Sequence, residues 1–570
     1  MSVMRGRALI IALAAVAVLI AIVARGGGDG GAKSATTAPR PPTPTTASGT
    51  GPQARVSFVY STEKEALLKP LVARYNAERH RSGGATVRID GRAVASGQAA
   101  DDIAARRLQP TLWSPASSLW GQLLNYSADR LYVARRNPSL VRTPLVIAMW
   151  EPMARALGWP RQRVGFADLL RLATSPRGWG AVGHPELGRF KLGHTNPDFS
   201  TRGLSAVAAE YFAAAGKREG LQVGDVTRPK VRARIRRIER SIVHYGDTTP
   251  FFADQLLRYG TAYASAVAME EVTLLDFNRR RRTGPELVGL YPREGTFYSD
   301  SPLIVLDAPW VERSQATAAG AFVRWLREQV TPTMAAKLGF RSGDPEAKVP
   351  APIDRAHGAD AAQPARVLAP PTPEVLDRIR RAWREDRKPA NIMLVVDTSG
   401  SMSEQARLPQ AKRGLRDFLA LLSPADRVGL MRFSSGVHPM APIRTVKRAR
   451  PDLLRDVGRL VADGDTALYD AANRGIAAVE ALGDRSRINA VVLLTDGNDT
   501  ASRTKVQEVL APLKAHSENE GVTVRVFTIA YGENANNSIL DDIATASGGK
   551  AFVGDPGEIR TVYKNIASFF

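Results

Sequence analysis

The 570-residue chain contains no cysteine. That absence excludes a disulfide framework, a thiolate metal centre, a cysteine nucleophile and a lipidated N-terminal cysteine. It also lacks a Gly-x-x-x-x-Gly-Lys-Ser/Thr loop to cradle nucleotide phosphates, and neither His-Glu-x-x-His nor Gly-x-Ser-x-Gly occurs. Its seven histidines, His194 and His244 among them, are scattered along the chain. Nucleotide hydrolysis, zinc proteolysis and serine-hydrolase chemistry therefore have no residues behind them, and a binding protein is expected in place of an enzyme. Aromatic residues make up only 7% of the chain. The basic stretches Arg232–Arg240 and Arg279–Arg282 carry none of the aromatic interleaving expected of a nucleic-acid reader, so no nucleic-acid partner is expected.

Positive charge, by contrast, is abundant, with a net charge of +22. Only 22 of the 78 Lys+Arg and 21 of the 56 Asp+Glu fall in residues 390–570, so almost the whole excess precedes that segment. Such a surface attracts anions, acidic polymers or anionic membrane. Residues 8–24 form an unbroken apolar run between Arg5/Arg7 and Arg25, short for a membrane span but consistent with an N-terminal signal anchor over 1–25. A cleaved signal peptide is the competing reading, and either one exports the chain. Residues 26–54, rich in Gly, Pro and Thr, read as a disordered tether. The expected location is the cell membrane, single-pass, with the bulk of the chain extracytoplasmic.

Residues 55–350 alternate strand-like and helix-like segments, which predicts an α/β sheet domain with a ligand crevice at strand ends. Strands are expected at 54–60, 85–89, 111–113, 143–150, 267–275 and 302–306, with a helix over 315–330. Residues 351–373 are rich in Ala and Pro, and 374–384 read as a helix with Pro373 in its first turn. Together, 351–389 form a connector to a last domain, 390–570.

That domain is organised around Val395-Val396-Asp397-Thr398-Ser399-Gly400-Ser401. A buried parallel strand ends in a carboxylate, and hydroxyls follow two and four residues later. Gly464-Asp465-Thr466-Ala467-Leu468-Tyr469 places another hydroxyl before a helix, and Leu493-Leu494-Thr495-Asp496-Gly497 ends a second buried strand in an acid. Carboxylates and hydroxyls suit a hard divalent cation such as Mg²⁺. Capping alone also favours Asp, Ser, Thr and Gly in such turns. What raises the case for a site is the three-part order.

Asp-x-Ser-x-Ser, the Thr-Ala-Leu-Tyr context and Leu-Leu-Thr-Asp-Gly together resemble a von Willebrand factor A (VWA) domain with its metal-ion-dependent adhesion site. The resemblance implies a Rossmann-like doubly wound fold. It further implies Mg²⁺, or Mn²⁺ or Ca²⁺, held by Asp397, Ser399, Ser401, Thr466 and Asp496, with one coordination position left for an Asp or Glu of a protein partner.

Residues 55–350 are similar to extracellular solute-binding proteins of the two-lobed, periplasmic type. The likeness rests on Trp113-Ser114-Pro115-Ala116-Ser117-Ser118-Leu119-Trp120, Gly193-His194-Thr195-Asn196-Pro197-Asp198 and Tyr291-Pro292-Arg293-Glu294-Gly295-Thr296-Phe297. It implies a cleft between lobes for a small polar or anionic solute, with Ser61, Thr62, Ser114, Ser118, Thr195 and Thr201 as contacts. Two functions follow as expectations. One is capture of a protein partner through the metal; the other is solute recognition for a transport or sensing system docked through the last domain.

Overall fold

The computed structural model describes residues 52–518, 523–532, 535–555 and 557–570. The expected span at 8–24, and with it the transmembrane part of the expected architecture, lies outside the described residues, as does all but the end of the 26–54 tether. Among the described residues no helix is long and apolar enough to cross a membrane.

Two sheets build the first half. In one, Gln53–Tyr60 lies between Ala85–Ala93 and Leu112–Ser114, parallel to both, with short antiparallel edges at Arg81–Ser82 and Ile304–Val305. In the other, the long strand Val141–Trp150 pairs antiparallel with Ala266–Glu270, Leu287–Leu290, Tyr298–Ser299 and Arg341–Ser342. Leu192–Thr195 runs parallel to Ala266–Glu270 and to Ile242–Gly246. The chain passes between the sheets near the Ser139–Pro302 bridge, which gives two lobes.

The apolar run 267–275, expected to be one strand, instead turns at its middle. Strand Ala266–Glu270 gives way to helix Glu271–Arg280. Two adjacent buried carboxylates mark the turn, each meeting a different distant cation: Glu270 meets Arg202, and Glu271 meets Arg341 at 2.6 Å. A straight strand would send them to opposite faces.

The third sheet has the spatial order Val437–Thr445, Arg427–Phe433, Ala390–Asp397, Ile488–Thr495, Val524–Tyr531, Ala551–Gly554. In chain order this is 3-2-1-4-5-6, and every pairing is parallel except that of the Val437–Thr445 edge. Every residue of Ala390–Asp397 and Ile488–Thr495 is buried, as a central parallel strand with helices on both faces requires. The order reverses between these two strands, so a crevice opens beyond their carboxyl ends.

The connector is packed. Its helix, Pro373–Asp386, is capped by the Thr372 hydroxyl and carries Pro373 at its first position. Asp386 accepts three bonds, two from Arg232 at 2.7 Å and one from Arg236 at 2.8 Å, while Arg380 and Arg384 both reach Asp198. Trp383 donates to Glu239 beneath it, and Tyr245 donates to the same carboxylate. Phe569 stacks against His244 and meets Phe251 edge-on, and Lys550 pairs with Asp247 at 2.5 Å. One continuous apolar core therefore runs from the second lobe into the third sheet. Residue Ala390 follows the connector directly into the central strand.

Candidate metal centre

Two central strands deliver Asp397 and the residue after Thr495 to the same end of the sheet. Asp397 is fully buried; one carboxylate oxygen accepts from the Ser399 backbone N–H at 2.7 Å, the other from the Thr495 hydroxyl at 2.5 Å. Burial pushes the Asp397 carboxyl up to about 6, against the pull of those bonds, and the nearby Asp496 carboxylate adds to the rise.

From there the oxygens follow in a chain. Ser399 Oγ lies 3.1 Å from Ser401 Oγ, and Ser401 Oγ donates to Asp496 at 2.7 Å. The Gly464 carbonyl accepts from the Gly400 N–H at 2.8 Å, tying the Thr466 loop to the serine loop. A methyl group placed on Gly497 would come 3.6 Å from Thr466 Oγ1, so that hydroxyl sits beside the Asp496–Gly497 turn. The Thr466 N–H donates to the Thr500 hydroxyl at 2.9 Å, and the Thr466 carbonyl accepts from the Thr500 N–H at 2.8 Å. All five residues named from the sequence thus gather from three loops at the crevice.

The donor set is two carboxylates and three hydroxyls; among the described residues no group of three or more His, Cys, Asp or Glu gathers as a metal site. Adjacent oxygens around an octahedral ion with bonds of about 2.0–2.1 Å lie about 2.9 Å apart. The observed spacings of 3.1 and 2.7 Å bracket that edge. The residues present therefore fit a small hard cation.

One neighbour had no signal in the sequence. Arg407, at the start of helix Arg407–Leu421, places its guanidinium 2.8 Å from the second oxygen of Asp496, with both side chains almost wholly buried. Thr495, which orients Asp397, could have been found, since it immediately precedes Asp496 in the strand-end motif.

Residues 56–341, about half of the chain, match the family of bacterial extracellular solute-binding proteins. The chain belongs to that family. Residues 391–564 match the von Willebrand factor type A domain, so a VWA domain follows the solute-binding module. The uncharacterized protein Rv1836c of Mycobacterium tuberculosis is 25% identical over 465 residues, covering 77% of this chain and 64% of that protein. This chain therefore spans somewhat under two thirds of that relative's length. Human inter-alpha-trypsin inhibitor heavy chain H4 is 26% identical over 29% of this chain and 18% of its own length. Among solved structures, proximal thread matrix protein 1 from the mussel byssus, with a zinc-occupied MIDAS motif, is 20% identical over 32% of this chain and 47% of that chain, with a TM-score of 0.27.

In the solute-binding module four of the six hydroxyls expected to face a solute, those of Ser61, Ser114, Thr195 and Thr201, are engaged with protein. Ser114 Oγ accepts from the buried Lys64 ammonium at 2.9 Å, and Ser61 donates to Glu63. Thr201 accepts from the Trp120 indole at 2.6 Å, and Thr195 donates to Ser200 at 2.8 Å. Thr62 is half-buried in the turn beside Glu63, and the Ser118 N–H donates to Asp300 at 2.7 Å. Ser61, Thr62, Ser114 and Ser118 belong to the first lobe, Thr195 and Thr201 to the second. What joins the lobes at this point is an ion triad. Arg202 meets Glu63 of the first lobe at 2.6 Å and Glu270 of the second, and Glu270 also accepts from Ser299 at 3.0 Å. Burial works to raise Glu63, but Arg202 and Lys64 outweigh it and hold that carboxyl low; Glu270, where burial prevails, is raised.

Proposed function

We propose that this is an exported, membrane-anchored binding protein whose VWA domain captures a protein partner through a divalent cation. The observation that carries the reading is the run of oxygens Ser399–Ser401–Asp496 at octahedral-edge spacing, beside Asp397 and Thr466, at the strand-order reversal. That spacing suits Mg²⁺ or Mn²⁺ in an octahedron, and Ca²⁺ reaches the same edge with seven ligands at about 2.4 Å. Asp397, Ser399, Ser401, Thr466 and Asp496 would hold the ion, which supplies a Lewis-acidic position for a carboxylate. Arg407 neutralises one of the two aspartates, so the loaded centre carries a net charge of about +1 and attracts an Asp or Glu of the partner. Association without turnover is the mechanism, and the chain acts as a receptor, not an enzyme.

The solute-binding module serves in this reading as a rigid platform, since the Arg202 ion triad and the Trp120–Thr201 bond hold the two lobes against one another. Recognition of a small polar solute, for transport or sensing, is the alternative. Titration of the protein with oxyanions, sugars and amino acids distinguishes the two, saturable binding favouring the latter. For the leading reading, the test is pull-down from the native cell surface with Mg²⁺ and with chelator, using the wild type and Asp397→Ala. Capture that survives both chelation and the substitution would refute it.

A further inference from the structure

A second feature lies at the opposite end of the VWA sheet. Where Ile488 and Val524 begin their strands, the second lobe closes over them and leaves a cavity of about 390 Å³. Its wall carries Arg189, Lys191 and Arg240 from the lobe, Lys388 from the connector, and Arg485, Arg487 and Arg525 from the VWA domain, and no Asp or Glu lines it. The Lys191 ammonium donates to the Ala262 carbonyl at 2.9 Å; among the other six, and among the described residues, Arg487 alone makes an ion pair, with Asp484 at 3.4 Å.

Such a gathering is costly without a counter-charge, because like charges facing a partly desolvated space repel. Two of these cations carry the mark of that cost. Arg525 is 6% exposed, and its Nε is buried with no partner; the guanidinium lies 5.9 Å over the Tyr263 ring, which also lines the cavity. Lys388 is pushed down to about 8, first by burial and then by Arg525 and Arg189, so these three charges feel one another. A buried cation with an orphaned donor, facing a cation-lined cavity, marks a place where an anion belongs.

We propose that this cavity binds a small phosphorylated polyanion, which bridges the second lobe and the VWA domain. Guanidinium forks match phosphoryl oxygens two at a time, and here they approach from both sides of the domain junction. The volume suits a small molecule and excludes a folded partner. Tyr259 and Tyr263, stacked at 6.2 Å, give one wall an aromatic face.

Isothermal titration of the full chain in Mg²⁺-free buffer tests this, with pyrophosphate, orthophosphate and citrate as probes. Pyrophosphate is expected to bind saturably at one site and more tightly than orthophosphate. Arg189→Gln with Arg240→Gln, both exposed and so tolerated by the fold, should weaken it at least about tenfold, whereas Arg279→Gln with Arg282→Gln, on a remote basic surface, should leave it unchanged. Arg525→Gln should abolish it; if that variant fails to fold, the Arg189/Arg240 pair decides. No saturable binding, or equal weakening by the remote pair, overturns the site. Citrate binding as tightly as pyrophosphate overturns the assignment to phosphoryl groups. Neither result bears on the metal centre.

Discussion

Replacing Arg202 by Met isolates what holds the two lobes together. The guanidinium lies between Glu63 and Glu270, all three side chains being 4% exposed or less. Removing the cation leaves two carboxylates from different lobes facing one another with no guanidinium between them, a separation on the order of 5 Å if each contacted opposite sides of it. At an effective dielectric of about 20, their repulsion is about 3 kcal/mol, and deleting one member of a buried ion group typically costs about 3–5 kcal/mol. Lys64, whose charge also pulls the Glu63 carboxyl down, offsets only part of this, since its ammonium is hydrogen-bonded to Ser114 and Pro115 oxygens within the first lobe. The penalty should depend on pH with a definite sign. Without Arg202 both folded-state glutamate pKa values rise above their unfolded value of about 4.3. The deficit is then smallest near pH 4.5 and grows as pH climbs through the raised values. Urea unfolding followed by tryptophan fluorescence should show a loss of about 3–5 kcal/mol at pH 7.5, and less than half of that at pH 4.5. The neutral triple variant Glu63→Gln, Arg202→Met, Glu270→Gln should recover to within about 1–2 kcal/mol of wild type. A deficit under about 1 kcal/mol at pH 7.5, or one of equal size at both pH values, would refute the account of the triad as the lobe latch.

Three further outcomes follow from other groups. Asp386→Asn leaves Arg232 and Arg236 facing a neutral amide at the connector, and should cost about 3 kcal/mol in the same unfolding measurement. Binding of Mg²⁺ should weaken about tenfold per pH unit below pH 6, because the ion competes with a proton at Asp397, whose carboxyl is pushed up to about 6; titration calorimetry between pH 5 and 7.5 checks this. Burial pulls His194 down, but Glu239 outweighs it and raises the imidazole to about 9. The stability of that pair is fully present below about pH 6.5 and is lost as pH rises through 9, so stability should fall over that window, and His194→Gln should flatten the slope.

The VWA site was legible in the sequence because its chemistry sits at strand ends that announce themselves. Two apolar runs end in Asp397 and at Thr495–Asp496, and the alternation of strand and helix brings those ends to one edge. The Val437–Thr445 strand was not legible. It contains Pro439 and Pro442, which read as loop, and it forms only because an edge strand can leave one side's N–H groups unpaired. Nor could local pattern place Arg407 on Asp496, or Arg202 between two glutamates. Those pairings link residues 89 and 68 apart in the chain, and depend on tertiary packing alone. Hydroxyls at the lobes' strand ends were ambiguous for a physical reason: a Ser or Thr there satisfies a neighbouring donor as readily as a ligand, and Ser114 and Thr201 serve Lys64 and Trp120.

The metal centre and the cation-lined cavity occupy opposite ends of the same two strands. Eight-residue strands separate them by about 25 Å at about 3.3 Å per residue. Coupling between sites so placed needs an element with two arrangements that both ligands bias. The strands between them offer none, since every residue of both is buried, Ile488–Leu494 pairs in unbroken register with Ala390–Val396, and Asn489–Thr495 does so with Val524–Ala530. What the cavity can bias is the seating of the VWA domain on the second lobe, because its cations come from both. A bound polyanion should therefore raise the resistance of the connector and the lobe contact to proteolysis, as any ligand selective for the closed junction must. Mg²⁺ affinity at Asp397 should be the same with and without an occupied cavity, measured with a phosphate ester too weak a chelator to compete for the ion. A change of tenfold or more would mean that the sheet itself has a second register or tilt, and that the two ends of the VWA domain communicate through it.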